Sequence, residues 1–423
     1  MILWPCYIIL ICLVAAFWLW LLISPTQRRV SRFTYSAADA PHQLNNLIPH
    51  DDILQQWGGD GGGDPPTWPS VAVIIPGRNE GHLLDTTLRS LCAMDYPNFR
   101  IIFVDDQSTD STPAVCRRLE QEFPHLFVLH NTTPPEPSWV GKSWAIHQGL
   151  AHAPQDTDYL LFCDSDLVFH PQCLRQMMRL ALHRRTDIAS LLPTLEYQSL
   201  GELLGLAAAM TFITLIYPLG ITNDPRSPKS LIAGGFFLIK TAVYHEIGGH
   251  AAVRGQMIED IAIGTLAKSR GKRVFTVLTR DLLRARMYEG WHDTFHGLKK
   301  NAFGGVHYRY PSGLGAVLFM LLVGALVPVY VVIGGVLISQ HFTPAIVAAL
   351  LISLLAWLAM TLTGSRNARL AGLPVYAALL MPASFTFLML VLLGAMLDFF
   401  RGGNTWSGRR MASQHTHSLD KIK

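Results

Sequence analysis

Four long apolar runs restrict this chain to a membrane fold before anything else is read. They cover residues 2–23 and the stretches near 313–339, 343–363 and 374–399. An α-helix needs about 20 consecutive apolar residues to cross a bilayer, and each run is long enough. Half of the chain is hydrophobic (50%), and the excess is concentrated at the two ends. No basic residue precedes the first run, whereas Arg28, Arg29 and Arg32 follow it. A secretory leader carries its positive charge first and closes on a small-residue cleavage site. Residues 1–25 therefore read as a retained anchor, with the following domain in the cytoplasm of a cell bounded by an inner membrane.

Residues 311–400 form a C-terminal transmembrane region of about three helices, followed by a basic tail, 401–423. Arg366 and Arg369 place the loop between the last two runs inside. The final run would then deliver the tail outside. The tail carries Arg401, Arg409, Arg410, Lys421 and Lys423, which favours inside. One run is then re-entrant or interfacial, and the last, which contains Pro382, is the candidate. The formal charge of +4 shows no basic surface interleaved with aromatics, so nucleic acid is not a partner. The six cysteines contain no C-x-x-C, so neither a zinc site nor a disulfide framework is indicated.

Residues 26–70 are a juxtamembrane segment and a linker rich in Gly and Pro. From Val71 the pattern changes. Apolar strands at Val71–Ile75, Arg100–Val104, Leu126–Leu129 and Tyr159–Cys163 alternate with helical patterns. That alternation predicts a mostly parallel, Rossmann-like α/β sheet covered on both faces, in a cytoplasmic domain over 71–310. Two further apolar or amphipathic stretches, near 199–220 and 288–303, read as helices lying at the membrane interface.

Three of these strands end in polar clusters. Tyr159–Cys163 runs into Asp164-Ser165-Asp166. Two carboxylates two residues apart on a strand point to one side. At the rim of a parallel sheet they face the crevice where ligands bind. Hard oxygen donors there suit Mg²⁺ or Mn²⁺ with a phosphate as the other partner; a polar loop is the plain alternative. The first strand ends in Pro76-Gly77-Arg78-Asn79-Glu80 and the second in Asp105-Asp106. Glu80 and Asp105 are acceptors for a base N–H and ribose hydroxyls, which would leave a nucleotide diphosphate near Asp164 and Asp166. For Asp105-Asp106 a solvated turn is the alternative, since Asp110-Ser111-Thr112 looks like a helix start.

Val73–Glu80, Val104–Thr112 and Asp164-Ser165-Asp166 resemble the first three signatures of family 2 glycosyltransferases with the GT-A fold. Ile258-Glu259-Asp260-Ile261 supplies the fourth, an Asp after a Glu opening a helix. Trp139–Ala145, Gly248–Arg254 and Arg286–Gly290 are similar to membrane glycosyltransferases of carotenoid biosynthesis, of the diaponeurosporenoate glucosyltransferase type. Hopanoid-associated glycosyltransferases share much of the pattern. The resemblance implies a nucleotide-sugar site that includes Pro76, Arg78, Glu80, Asp105, Asp106, Lys142 and Asp164, a metal on Asp164 and Asp166, and Asp260 as base. It implies a UDP-sugar donor and a membrane-lipid acceptor, a carotenoid or hopanoid. The Q-x-x-R-W motif of processive synthases is missing from residues 291–301, which favours transfer of a single sugar.

Weaker assignments surround that set. Gly234-Gly235 precede a strand and allow close backbone approach to the sugar, or make a tight turn. Glu259 positions an acceptor or stabilises its helix dipole. His250, from the Gly-Gly-His stretch, is a further acceptor or diphosphate contact. Lys299 and Lys300 either touch the diphosphate as point charges or line the polar face of an interfacial helix. His292 and His296 are spaced as a helical zinc pair, but no third ligand is near. Two competing readings remain: a polysaccharide or glycolipid-chain synthase, and a membrane nucleotide sensor without catalysis.

Overall fold

The computed structural model describes residues 3–24, 34–35, 65, 67–256, 258–306, 308–401, 405–406 and 409–410. Arg28, Arg29, Arg32, most of the Gly- and Pro-rich linker, and Lys421 and Lys423 lie outside the described residues. The chain divides into two compact units. One comprises Val30–Thr194 and Leu219–Arg286; the other comprises Met1–Arg29, Leu195–Pro218 and Met287–Lys423.

The first unit is built on strands β1 (Thr34–Tyr35), β2 (Val71–Gly77), β3 (Phe99–Asp106), β4 (Leu126–Asn131), β5 (Tyr159–Cys163), β6 (Leu167–Phe169), β7 (Ile188–Leu192), β8 (Thr194–Leu195), β9 (Phe236–Lys240), β10 (Val274–Thr279) and β11 (Leu283–Ala285). Among the described residues eight of them form one sheet, in the order β1-β10-β7-β9-β5-β2-β3-β4. The expected parallel sheet is present. Val71–Ile75 and Ile101–Val104 are buried, as strands covered on both faces must be. One strand departs from the expectation: β9 runs antiparallel to both β5 and β7. The chain leaves this unit after Thr194, returns at Leu219 and enters the sheet from the opposite end.

That reversal positions the site. Phe236, the first residue of β9, pairs with Cys163, the last of β5. Gly234-Gly235 and Asp164-Ser165-Asp166 therefore meet at one rim. The register Gly77↔Asp105 brings the ends of β2 and β3 to the same rim, and Asp105↔His130 adds β4. Behind it, helix Gly141–Leu150 packs on the sheet through Ala145, Ile146 and Gly149. A Cβ on Gly149 would lie 2.6 Å from Val104 Cγ2 and 3.1 Å from Ile74 Cγ2. Only a residue without a side chain permits this approach.

The second unit is helical. Pro5–Ile23, Pro344–Leu370 and Val375–Phe400 are each long and apolar enough to cross a membrane. Tyr310–Ala325 and Val327–Gln340 pass that test only together and meet at a bend of 50°. The break therefore lies in the first of the three C-terminal runs, next to Pro328, where a π-helical turn covers Met320–Ala325. Proline lacks the N–H to bond back into the preceding turn, and its ring clashes there. Pro382 also falls in the first turn of its helix, after a 3₁₀ stretch at Val375–Leu380, yet Val375–Phe400 passes the test as one span.

Specific contacts orient these helices. Tyr7 Oη donates to Tyr330 O and Trp18 Nε1 to Val323 O, each at 2.8 Å, so the N-terminal helix runs against the bent pair. The last helix runs against Tyr310–Ala325: Phe385 packs on Gly324, and Met396 packs on Gly313 and accepts from Tyr310 Oη. Helices Leu200–Ile216 and Gly290–Ala302 belong to this unit, and Trp291 lies over Gly201. Glu202, 1% exposed, accepts from Gln198 N–H, Ser199 Oγ and Gly290 N–H at 2.6–2.9 Å and fastens the two helices at their N-termini.

Gly149→Val forces the helix that carries Lys142 off the sheet. We expect a loss of about 1–3 kcal/mol of stability from overpacking, read as a lower thermal midpoint of the detergent-solubilised protein; an unchanged midpoint contradicts the close packing.

Candidate active site

Two loops at the rim are locked to each other. The β2 loop turns at Asn79 (φ 58°) and the β3 loop at Gln107 (φ 60°). The left-handed conformation is one that Asn adopts readily. Asn79 Oδ1 accepts the Thr109 N–H at 2.8 Å, and Ser108 Oγ accepts the Asn79 N–H at 2.9 Å. Thr112 Oγ1 accepts from Glu80 N–H at 2.9 Å. Asp110 accepts from Thr112 N–H and from Gly81 N–H, both at 3.0 Å. Asp110 thus does more than start a helix. Its reach across to Gly81 has no signal in the sequence, because it depends on the strand register. Arg78 donates to Asp106 O at 3.2 Å. Pro76 and Gly77 close the end of β2, with Gly77 against the far end of the Phe103 ring, where a Cβ would lie 2.5 Å from Cζ.

Asp105 and Asp106 are more buried than an open nucleotide cradle would require, at 4% and 1% exposure. Asp105 Oδ2 is 3.0 Å from His130 Nδ1, and its Oδ1 accepts from Ser108 N–H. Asp106 Oδ1 accepts from Asn131 Nδ2 at 2.8 Å. Both partners come from β4, the neighbouring strand.

Four side chains and one glycine form a connected polar group at the β5–β9 junction. Lys142 Nζ lies 2.8 Å from Asp164 Oδ1 and 2.8 Å from Glu259 Oε1. Asp260 follows Glu259 in the first turn of helix Glu259–Ser269. Its Oδ2 accepts the Gly234 N–H at 2.6 Å and its Oδ1 accepts the Ile261 N–H at 2.7 Å. A Cβ on Gly234 would fall 3.0 Å from Lys142 Nζ and 3.1 Å from Asp260 Oδ2. On Gly235 it would fall 3.8 Å from Asp164 Oδ2. The structure brings Lys142, Asp164, Gly234, Glu259 and Asp260 into contact, with Asp166 beside them.

The electrostatics follow from burial and crowding. Burial opposes the charge of Lys142, but Asp164, Glu259 and Asp260 outweigh it and hold the ammonium well above its usual pKa. Burial raises Asp260 to about 7, and the charge of Glu259 adds to the shift. Burial likewise raises Asp166 to about 7, helped by Asp164. Paired carboxylates repel each other, and a divalent cation would relieve that. Asp164 and Asp166 fit such an ion as hard oxygen donors. Among the described residues no group of three His, Cys, Asp or Glu could hold a metal alone, so a diphosphate and water would complete its shell, as is usual for Mg²⁺.

The weaker assignments separate here. His250 is fully buried, packed against Phe162, Phe237 and Tyr244. Tyr244 Oη accepts its backbone N–H and lies 2.8 Å from its Nδ1. Burial drives this imidazole down to about 3, so it is neutral. It supports the core behind Asp164 and offers a ligand no surface. Lys299 is paired with Asp398 of the last helix. Lys300 lies on the same helix, Gly290–Ala302. The rings of His292 and His296 are 4.2 Å apart between centroids, with no third ligand among the described residues.

Residues 72–248 match the family model described as Glycosyl transferase family 2. A 4,4'-diaponeurosporenoate glycosyltransferase of Staphylococcus aureus strain MRSA252 is 25% identical over 260 residues, 60% of this chain and 66% of that protein. Its counterpart in strain USA300 is 26% identical over the same length. The chain thus spans 66% of the length of these curated relatives. Among solved structures, mannosyltransferase PcManGT from Pyrobaculum calidifontis, in complex with GDP-Man and Mn²⁺, matches with a TM-score of 0.50 at 16% identity, over 92% of this chain and 99% of that one. That likeness shows the fold, a GT-A-like core.

Lys142→Met leaves Glu259, 6% exposed, without its ammonium. The unfolding midpoint is expected to fall, by less than the ~3–5 kcal/mol of a fully buried pair because Asp164 stays partly solvated. The double variant Lys142→Met/Glu259→Gln should recover part of the loss; a double variant no more stable than the single one contradicts the pairing.

Proposed function

We propose that this chain, which carries a family 2 glycosyltransferase domain, transfers one sugar from a nucleotide-sugar donor to a membrane lipid with inversion at the anomeric carbon. One observation carries the reading. A half-buried carboxylate poised near neutrality, Asp260, is wired through Gly234 and Lys142 to the Asp164–Asp166 pair. A nucleotide sensor needs the pair but has no use for the base. The relatives, at modest identity, are named for a carotenoid acceptor, which supports a carotenoid or similar lipid here; the donor in this proposal is UDP-glucose or a related nucleotide-sugar.

Mg²⁺ or Mn²⁺ on Asp164 and Asp166 would neutralise the diphosphate leaving group. Lys142 binds the same diphosphate as a point charge, and Glu259 holds Lys142 in place. Each Asp260 oxygen accepts one backbone N–H and keeps a free lone pair. The acceptor hydroxyl gives its proton to that carboxylate while its oxygen bonds to the anomeric carbon. The carbon–oxygen bond to the diphosphate breaks, and its electron pair leaves with the nucleoside diphosphate.

The contacts of the helical unit support a topology in which the last helix does not cross. Tyr310–Gln340 goes out and Pro344–Leu370 returns. The last helix starts beside Gly364, six residues or about 9 Å before Leu370. It ends where Asp398 meets Lys299 and Met396 meets Tyr310. Both of its ends then face the cytoplasm, and the basic tail does too. Reporters fused after Phe342, after Gly372 and after Arg401 are expected to read outside, inside and inside. An outside reading after Arg401 rejects the topology.

Asp260→Asn should lower turnover on an alcohol acceptor by about 10²–10⁴-fold. A lipid carboxylate is already ionised, so the same variant should lose less on an acid acceptor; equal losses on both contradict the assignment. A base must be deprotonated to act, and Asp260 is raised to about 7. Turnover on the alcohol should therefore fall as the pH drops below about 7, and a rate flat from pH 5 to 8 excludes Asp260 as base. EDTA should abolish transfer, and Mn²⁺ or Mg²⁺ should restore it.

A further inference from the structure

The segment from Asn223 to Gly235 contains no helix or strand, yet it delivers the two glycines at the rim. An irregular stretch has no ladder to hold it, so its backbone polar groups need other partners. Side chains supply them along its length. Asn223 exchanges two hydrogen bonds with the backbone of Thr276, both at 2.8 Å. Thr276 Oγ1 donates to Leu231 O. Ser190 Oγ accepts from Ala233 N–H at 2.9 Å.

The largest share falls to Lys268. Its Nζ donates to four backbone carbonyls, those of Thr222, Asp224, Ser227 and Lys229, the last three at 3.0, 3.2 and 2.8 Å. The residue is 8% exposed, and the nearby Asp224 carboxylate, itself paired with Arg226, offsets part of the cost of burying its charge. A buried cation whose hydrogen bonds all go to carbonyl oxygens is a socket of the kind that holds a bare monovalent ion. Lys268 is in the last turn of the helix that Glu259 and Asp260 open. Midway along, Gly264 brings this helix against Ser230 and Ile232, where a Cβ would lie 2.2 and 2.8 Å from the nearest side-chain atoms. At the other end Asp260 accepts from Gly234 N–H at 2.6 Å. Helix and segment are thus fastened at three successive points.

We propose that Lys268 is a positioning residue: its ammonium gathers the carbonyls of Thr222–Lys229 into a cation socket and so sets Gly234 N–H against Asp260. This rests on the reading of Asp260 as the base. Lys268 touches no reactant. It fixes the length of the segment between the socket and the base, and with it the lone pair that Asp260 presents.

Lys268→Met keeps the methylene stem and removes the charge. Turnover should fall about 10–100-fold, the scale of a misplacement of about 1 Å at the reacting groups, while the KM for the nucleotide-sugar stays within about 2-fold. Lys268→Ala opens the socket, and methylammonium or potassium at high concentration should restore part of the turnover; tetramethylammonium, too bulky for it, should not. The same cations should raise the thermal midpoint of Lys268→Ala and leave that of the unaltered protein where it is. That second readout needs no transfer reaction, so the socket is tested even if the proposed activity fails. Wild-type turnover in Lys268→Met, or an absence of any cation effect on Lys268→Ala, overturns the proposal.

Discussion

The rim depends on a single ammonium held among four carboxylates. Lys142 contacts Asp164 and Glu259, and Asp166 and Asp260 lie beside them. One positive charge does not balance that set. Burial, with the excess negative charge adding to it, lifts two of the acids towards neutrality. The site is therefore unfinished in electrostatic terms, and it is suited to a partner that brings cations with it. A nucleoside diphosphate accompanied by a divalent metal has that character. The same feature that makes the rim costly in isolation tunes a carboxylate to accept a proton near neutral pH.

The backbone makes this cluster possible. Lys142, Asp164 and Asp260 come from three elements separated by long stretches of chain, and the strand register aligns them. The reversed strand β9 is decisive, because its beginning lies beside the end of β5. Had it run parallel, Gly234 would sit at the far edge of the sheet. The clamp between the Asn79 and Gln107 loops performs the equivalent task on the other side of the rim, through side chains that accept backbone N–H groups.

Much of this was legible in the sequence for a physical reason. An apolar strand that stops at a carboxylate reports both its burial and its edge, so Asp164, Asp166 and the rim could be read directly. Asp260 was legible only through the likeness of Ile258–Ile261 to the fourth signature of family 2 glycosyltransferases. The pairing of Asp105 with His130 and of Asp106 with Asn131 was not, since it depends on which strand is the neighbour. Nor was the burial of His250, because a polar residue in a glycine-rich stretch looks the same whether it faces solvent or an aromatic core. Two prolines of the helical region teach the same lesson. Pro328 and Pro382 both fall in the first turn of a helix, and what separates them is the segment before: a π-helical turn that leads into a 50° bend, or a 3₁₀ stretch that continues as one span.

The excursion between β7 and β9 has a consequence for how the chain is made. β9 lies between β5 and β7 in the sheet, yet it is synthesised only after residues 195–218, which belong to the helical unit. The sheet therefore keeps an unfilled slot near its middle while an apolar helix emerges from the ribosome. Two segments with opposite solvent preferences must be sorted before the slot closes, a non-local pairing of the slow kind. The same interleaving means that no single cut separates the polar half from the apolar one; excising the former requires rejoining the chain across 195–218.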